Sequence, residues 1–197
     1  MPAIRTLTAL LCCLALVACA PPPVERSDAE IAALWQQQKE RNEAIETWRL
    51  NGRIRMQSDA ENWYASLIWR QKPVDYDIRL VGPLGSGTVL IKGGSGGVVL
   101  RTDKGETIRS SNPDNLFHRA MGWNLPVSSL NFWVRGLPQP GPAILDWDNQ
   151  GRLSGLHQHG WDVEFTEYFD DAAHLPETIQ LTRGEWHIRL DISRWKI

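Results

Sequence analysis

From Trp48 onward, apolar and polar residues alternate with a period of two. Trp48, Leu50, Gly52, Ile54 and Met56 interleave with Arg49, Asn51, Arg53 and Arg55, the pattern of a strand with one face buried and the other in water. The alternation returns at Trp63, Ala65, Leu67 and Trp69, at Tyr76, Ile78 and Leu80, at Val89 and Ile91, and at Val98 and Leu100. A slip of one residue would bury the guanidinium groups of Arg53, Arg55, Arg70 and Arg79, so the parity decides which residues face inward. Gly93 to Gly97 and Asp103 to Gly105 read as hairpin turns. Strands resume over 143–148, 153–159, 161–167, 177–182 and 185–193, with Asn149-Gln150-Gly151 and Arg183-Gly184 as turns.

Three stretches carry helical signals instead. Ser27-Asp28-Ala29-Glu30 matches a capping box and opens a helix to about Thr47, with Ile31, Leu34, Trp35, Ile45 and Trp48 on one face and a polar middle from Gln36 to Asn42. Asn112-Pro113 caps a second helix through about Met121. A third runs from Val127 to Arg135, where Gly136 and Pro138 stop it. Short strands joined by tight turns are antiparallel, so the fold expected is mainly β with α: an unclosed antiparallel half-barrel curled around its apolar face. The inside of a sheet of about ten strands can exceed what side chains fill. The strand faces, covered by Leu116–Met121 and Leu130–Val134, then enclose an apolar cavity.

The start of the chain obeys different rules. Arg5 precedes the apolar run Leu7 to Val17, too short to span a bilayer and suited to a signal peptide. It ends in Leu16-Val17-Ala18-Cys19, which resembles the lipobox of bacterial lipoproteins, where the Cys thiol receives diacylglycerol and the freed amine a further acyl chain. The chain holds three Cys, and Cys12 and Cys13 leave with residues 1–18. One thiol remains and no internal disulfide is possible, so acylation accounts for a Cys that an oxidising compartment would otherwise leave reactive. At about 0.8 kcal/mol per buried methylene, two or three long chains anchor a protein almost permanently. By resemblance to sorted lipoproteins, Ala20 in place of Asp points to the outer membrane. Ala20 to Val24 is a stiff proline tether. The domain expectation is thus 1–18 signal peptide, 19–26 lipidated tether and 27–197 one globular, periplasm-facing domain.

Composition narrows the function. Lys and Arg total 21 and Asp and Glu 23; removing residues 1–18, which hold Arg5 and no acid, leaves −3. The charges are interspersed, which excludes nucleic acid as a partner. Catalysis finds no anchor. Gly93-x-Ser95-x-Gly97 matches a nucleophile elbow in letters, but strands flank it on both sides and turn chemistry is the better reading. His157 and His159 share a strand face without further metal ligands, so solvent-facing histidines are expected, and Asp170-Asp171 reads as a solvated loop. No cofactor and no metal are expected. The ten Trp suit core packing and lipid contact alike.

One turn departs from ordinary loop chemistry. In Gly82-Pro83-Leu84-Gly85-Ser86 the tip of a tight loop holds a Leu. Either Leu84 folds back onto the barrel or it is a greasy tip that touches a membrane. Together with this turn, Trp48-x-Leu-x-Gly-x-Ile54, Tyr64-Ala65 with Trp69-Arg-Gln71, Val127-x-Ser-Leu130 with Trp133-Val-x-Gly-Leu-Pro138, and Ile192-x-x-Trp195 resemble, in order and spacing, LolB, the outer-membrane lipoprotein receptor family. The resemblance implies a half-barrel of about eleven strands, lidded by helices around a cavity for acyl chains. It implies a protruding loop, here Pro83, Leu84 and Gly85, whose leucine helps place cargo into the membrane. By strand parity and helix position the cavity would be lined by Leu50, Ile54, Leu67, Trp69, Ile78, Leu80, Val89, Ile91, Val98 and Leu100, with Leu116, Met121, Leu130 and Trp133 from the cover. The partners implied are a LolA-like periplasmic carrier, acylated cargo lipoproteins and outer-membrane lipid, with the receptor a monomer. No energy source is encoded, so transfer runs downhill. A same-fold carrier of other amphiphiles such as glycolipids and a structural envelope lipoprotein stay open as alternatives.

Overall fold

The computed structural model describes residues 26–197 except Ser86, Trp123 and Asn124, and of Met121 the backbone only; the expected signal peptide, Cys19 and the expected tether over 20–24 lie outside the described residues. Eleven strands form one antiparallel sheet. In chain order they are β1 (Trp48–Gln57), β2 (Asn62–Gln71), β3 (Tyr76–Val81), β4 (Thr88–Gly94), β5 (Gly97–Thr102), β6 (Thr107–Ser110), β7 (Ile144–Trp147), β8 (Leu153–Gln158), β9 (Trp161–Tyr168), β10 (Pro176–Arg183) and β11 (Trp186–Lys196). Among the described residues three α-helices accompany them: α1 (Asp28–Glu43), α2 (Pro113–Met121) and α3 (Val127–Trp133).

The spatial order is β6-β5-β4-β3-β2-β1-β11-β10-β9-β8-β7. Two meanders, β1 to β6 and β7 to β11, are therefore joined along a single seam, where β1 pairs with β11 from Arg49↔Lys196 to Gln57↔His187. The register shifts between Asn51 and Gly52, and a Cβ at Gly52 would overlap the Asp191 carbonyl oxygen. Glycine at this bulge lets the two central strands approach. The edges β6 and β7 do not meet, and the chain travels from one to the other through α2 and α3, which cover the concave face.

Strand parity matches burial along the sheet. Leu50, Ile54, Leu67, Trp69, Ile78, Leu80, Val89, Ile91, Val98 and Leu100 are each at most 5 % exposed, while Arg53, Arg55, Arg70 and Arg79 project into water. Gly93 to Gly97 spans the β4–β5 hairpin, a strand on either side and no nucleophile elbow.

The helices differ from expectation at their ends. Helix α1 has the expected capping box, with Ser27 Oγ accepting from Glu30 N–H and Glu30 reaching back to Ser27 N–H, but it stops at Glu43, four residues before Thr47. Its buried residues are Trp35, Gln38 and Asn42, two of them polar, because Gln38 and Asn42 find partners on other segments. Gln38 Nε2 donates to the Ala173 carbonyl at 3.0 Å and Asn42 Nδ2 to the Arg135 carbonyl at 2.6 Å. Helix α3 is regular to Trp133 and then tightens, with Arg135 N–H bonding Phe132 O and Gly136 N–H bonding Trp133 O, which satisfies end carbonyls before the chain turns away.

Candidate functional site: an apolar interior under a helical cover

Strand directions sort the loops into two rims. One rim carries the turns after β1, β3, β5, β8 and β10, including Leu84; the other carries the turns after β2, β4, β7 and β9 and the link from α1 into β1. Between the rims, Ile54, Leu67, Trp69, Ile78 and Leu80 from β1 to β3 face Leu181, Ile188 and Leu190 from β10 and β11, and Leu125, Val127 and Leu130 close over them. Every lining side chain is apolar. The Trp69 indole N–H is satisfied away from the space, by Gln71 Oε1 at 3.2 Å. The second rim is sealed by aromatic rings: Trp48 lies 5.3 Å from both Trp69 and Trp195, centroid to centroid.

The enclosed volume is about 20 Å³, room for about one water molecule. The cover therefore sits down on the concave face of the open sheet and leaves almost no free space beneath it. Of the cavity residues expected from the sequence, Ile54, Leu67, Trp69, Ile78, Leu80 and Leu130 meet at this space. Leu50, Val89, Ile91, Val98, Leu100, Leu116 and Trp133 belong to the same continuous core without bordering the space, and the side chain of Met121 lies outside the described residues. Leu125, Val127, Leu181, Ile188 and Leu190 were not among the expected residues. The last three follow the same alternation against Thr182, His187 and Arg189 and could have been named from it.

Unequal attachments hold the cover. At its rear, Trp133 Nε1 donates to Gln158 Oε1 at 3.0 Å, and Gln158, itself 1 % exposed, also exchanges hydrogen bonds with the backbone of Gln139 at 3.0 and 2.7 Å. The Arg135 guanidinium donates to the carbonyls of Asn42 at 3.2 Å, Ile45 at 3.0 Å and Asn131 at 3.1 Å. Burial holds Arg135 below the ordinary arginine range, opposed by the charges of Glu43 and Glu46. At its leading end α3 is tied to α2 by Ser128 N–H donating to Asp114 Oδ1 at 2.9 Å, and otherwise rests on Leu125 and Val127.

Leu84 projects from the first rim, fully exposed at 107 % of its reference area; it does not fold back onto the sheet. Its φ is +54°, a left-handed conformation uncommon for a side chain of this size. The loop enforces it, because Gly82 N–H bonds Gly87 O at 3.0 Å and Gly85 N–H bonds Gly82 O at 3.2 Å, with Gly85 itself at φ +79°. His157 pairs with Asp162 at 2.7 Å on the outer face. Among the described residues no group of three His, Cys, Asp or Glu could hold a metal, and no helix is long and apolar enough to cross a membrane.

Comparison with known proteins decides what this architecture belongs to. The profile of the family described as outer membrane lipoprotein LolB matches residues 46–195. An outer-membrane lipoprotein LolB of Alkalilimnicola ehrlichii is 36 % identical over 196 residues, 98 % of this chain and 97 % of that one. The LolB of Pseudomonas putida strain GB-1 is 35 % identical over 164 residues, 82 % of this chain and 80 % of that one. The chain belongs to the LolB family. LolB membership gives it a role in localising lipoproteins at the outer membrane, in a family of trafficking factors and not of enzymes. The LolB fold also resembles a LolA superfamily protein from Nitrosomonas europaea, with a TM-score of 0.56 over 82 % of this chain and 92 % of that one at 12 % sequence identity.

Proposed function

We propose that this chain accepts acylated lipoproteins from a LolA-like periplasmic carrier, holds their acyl chains between the sheet and the α2–α3 cover, and releases them into the inner leaflet of the outer membrane. The observation that carries the reading is the wholly apolar lining of the space between the sheet and the residues Leu125, Val127 and Leu130 that close over it. In the closed form the space is far too small for an acyl chain, so loading requires the cover to rise. Lifting Leu125, Val127 and Leu130 off the sheet costs about 1.5–3 kcal/mol for each side chain. Each cargo methylene seated here contributes about 0.8 kcal/mol relative to water, and because the chains come from the carrier and not from water, only the excess over the carrier's own site offsets that opening. Leu50, Val89, Ile91, Val98, Leu100, Leu116, Met121 and Trp133 then line the space as it deepens. The chain is held at the membrane by lipid on Cys19 and acts as a monomer.

Leu84 assists the release step. One exposed Leu contributes only about 1.5–3 kcal/mol on entering lipid, too little to anchor a protein and enough to disturb lipid packing while cargo leaves. Depletion of the chain is expected to strand outer-membrane lipoproteins short of the outer membrane; an unchanged lipoprotein distribution would overturn the proposal. Leu84→Glu is expected to fold, to take cargo from the carrier and to deliver it slowly into liposomes. Lost acceptance with normal delivery of pre-loaded cargo would make the loop a docking element for the carrier.

A further inference from the structure

Beside the apolar space, on the other side of the leading end of α3, lies a polar groove of about 400 Å³, within the roughly 300–1,000 Å³ of small-ligand sites. Its walls are the α2 residues Asp114 and His118, the β8–β9 turn at His159, and Trp161 and Arg183 from β9 and β10. The groove and the apolar space share a residue: Leu125 borders both. After it the chain alternates between them, Pro126 and Ser129 facing the groove, Val127 and Leu130 facing the apolar space. A hydrocarbon chain slipped under this end of α3 therefore leaves its polar end in the groove.

We propose that the groove is the head site for the lipid-modified cysteine of the cargo, receiving its ester and amide carbonyls while the acyl chains pass Leu125. The inference rests on the reading of the interior as the acyl-chain site. The linkage of a lipidated cysteine is neutral and rich in acceptors, and the groove is rich in donors. Arg183 brings five N–H groups and lies 6.0 Å above the Trp161 ring, with no ion pair of its own among the described residues. His118 and His159 add ring nitrogens. The one carboxylate, Asp114, is engaged by the Ser128 N–H and offsets the single guanidinium. A groove balanced in this way suits a neutral carbonyl-rich head better than a phosphate, which clustered cations would favour. The Asp114–Ser128 bond also places the groove on the contact that couples α2 to α3, so a head group seated here bears on the cover's leading end.

The test uses the full mature chain and three probes with matched chains: a synthetic tripalmitoyl-glyceryl-cysteinyl peptide, dipalmitoylphosphatidylglycerol, and a pyrene-labelled hexadecane without a head group. Arg183→Ala combined with His118→Ala is expected to weaken lipopeptide binding by about tenfold, the size of one charge-assisted hydrogen bond, and to leave binding of the headless chain unchanged. Equal weakening of both, or of neither, overturns the head site. A larger loss for phosphatidylglycerol than for the lipopeptide also overturns it, in favour of an anion site. Failure of the unaltered chain to bind the headless probe sinks the acyl-chain reading itself, separately from the groove.

Discussion

Asn42 and Arg135 hold each other by their backbones: Asn42 Nδ2 donates to the Arg135 carbonyl at 2.6 Å, and Arg135 Nη1 returns a bond to the Asn42 carbonyl at 3.2 Å. Ninety-three residues apart, they join the end of α1 to the end of α3. The guanidinium finds carbonyls at the C-terminal ends of both helices, where the helix dipole is negative.

Arg135→Met keeps most of the side-chain volume and removes these donors. It is expected to lower stability by about 1.5–3 kcal/mol, the worth of hydrogen bonds to a charged group, read as a shift in the urea midpoint. Amide exchange should quicken in α3 before it does in β1 and β2. An unchanged midpoint would mean that water satisfies the freed carbonyls.

At Leu84 exposure and backbone strain coincide, and neither serves stability. Leu84→Asn places at φ +54° a residue that tolerates this region. The variant is expected to match or exceed the parent's stability by up to about 1 kcal/mol, since left-handed strain costs about 1–3 kcal/mol, while cargo delivery into liposomes slows. A variant both less stable and slower would remove the strain argument.

Gly52→Ala tests the seam. The new methyl meets the Asp191 carbonyl, which is backbone and cannot swing aside. A loss of about 1–3 kcal/mol is expected, as for other overpacked sites, with β1–β11 amides losing protection first. Full stability would show that the bulge can shift.

Tyr76 supplies a test against pH. Burial, with a smaller part from Asp114, pushes its hydroxyl up to about 12, and that hydroxyl has no hydrogen-bond partner. Below pH 10 the phenol is neutral whether the chain is folded or unfolded. Above it the unfolded chain loses the proton and the folded one keeps it, so stability falls as pH rises from about 10 toward 12. Tyr76→Phe should flatten that decline and leave stability near neutral pH equal or higher, since no bond is lost. An identical decline in the variant would place the alkaline sensitivity elsewhere.

The inner face of β1 to β5 was legible because each strand carries at least one cation on the opposite parity (Arg53 and Arg55, Arg70, Arg79, Lys92, Arg101) that cannot be buried, leaving one register. The same logic reaches Leu181, Ile188 and Leu190. Alternation marks burial, however, and not which buried residues border free space; that depends on how the sheet curves and how the helices seat. Val127 opens a seven-residue helix and Leu125 precedes its N-cap Pro126, a stretch too short for a period to mark a face. Gln38, Asn42 and Arg135 score as surface residues by any hydrophobic pattern, and their burial becomes intelligible only through partners about ninety or more residues distant. Glycine and proline around Leu84 announced a tight loop; its left-handed backbone emerges from the bonds between Gly82, Gly85 and Gly87.

The seam between β1 and β11 has a consequence for the order of assembly. During synthesis the first meander is complete once Ser110 has been made, yet β1 keeps an open apolar edge until Trp186 to Lys196 follow, after every other strand. Pairing across such a separation is slow to form, and an unpaired edge invites the wrong neighbour. A fold whose central joint is its latest strand stays threadable while the polypeptide is still emerging from the ribosome. Late closure therefore keeps the two meanders apart until the last strand has been made, so that neither half is locked before the other exists.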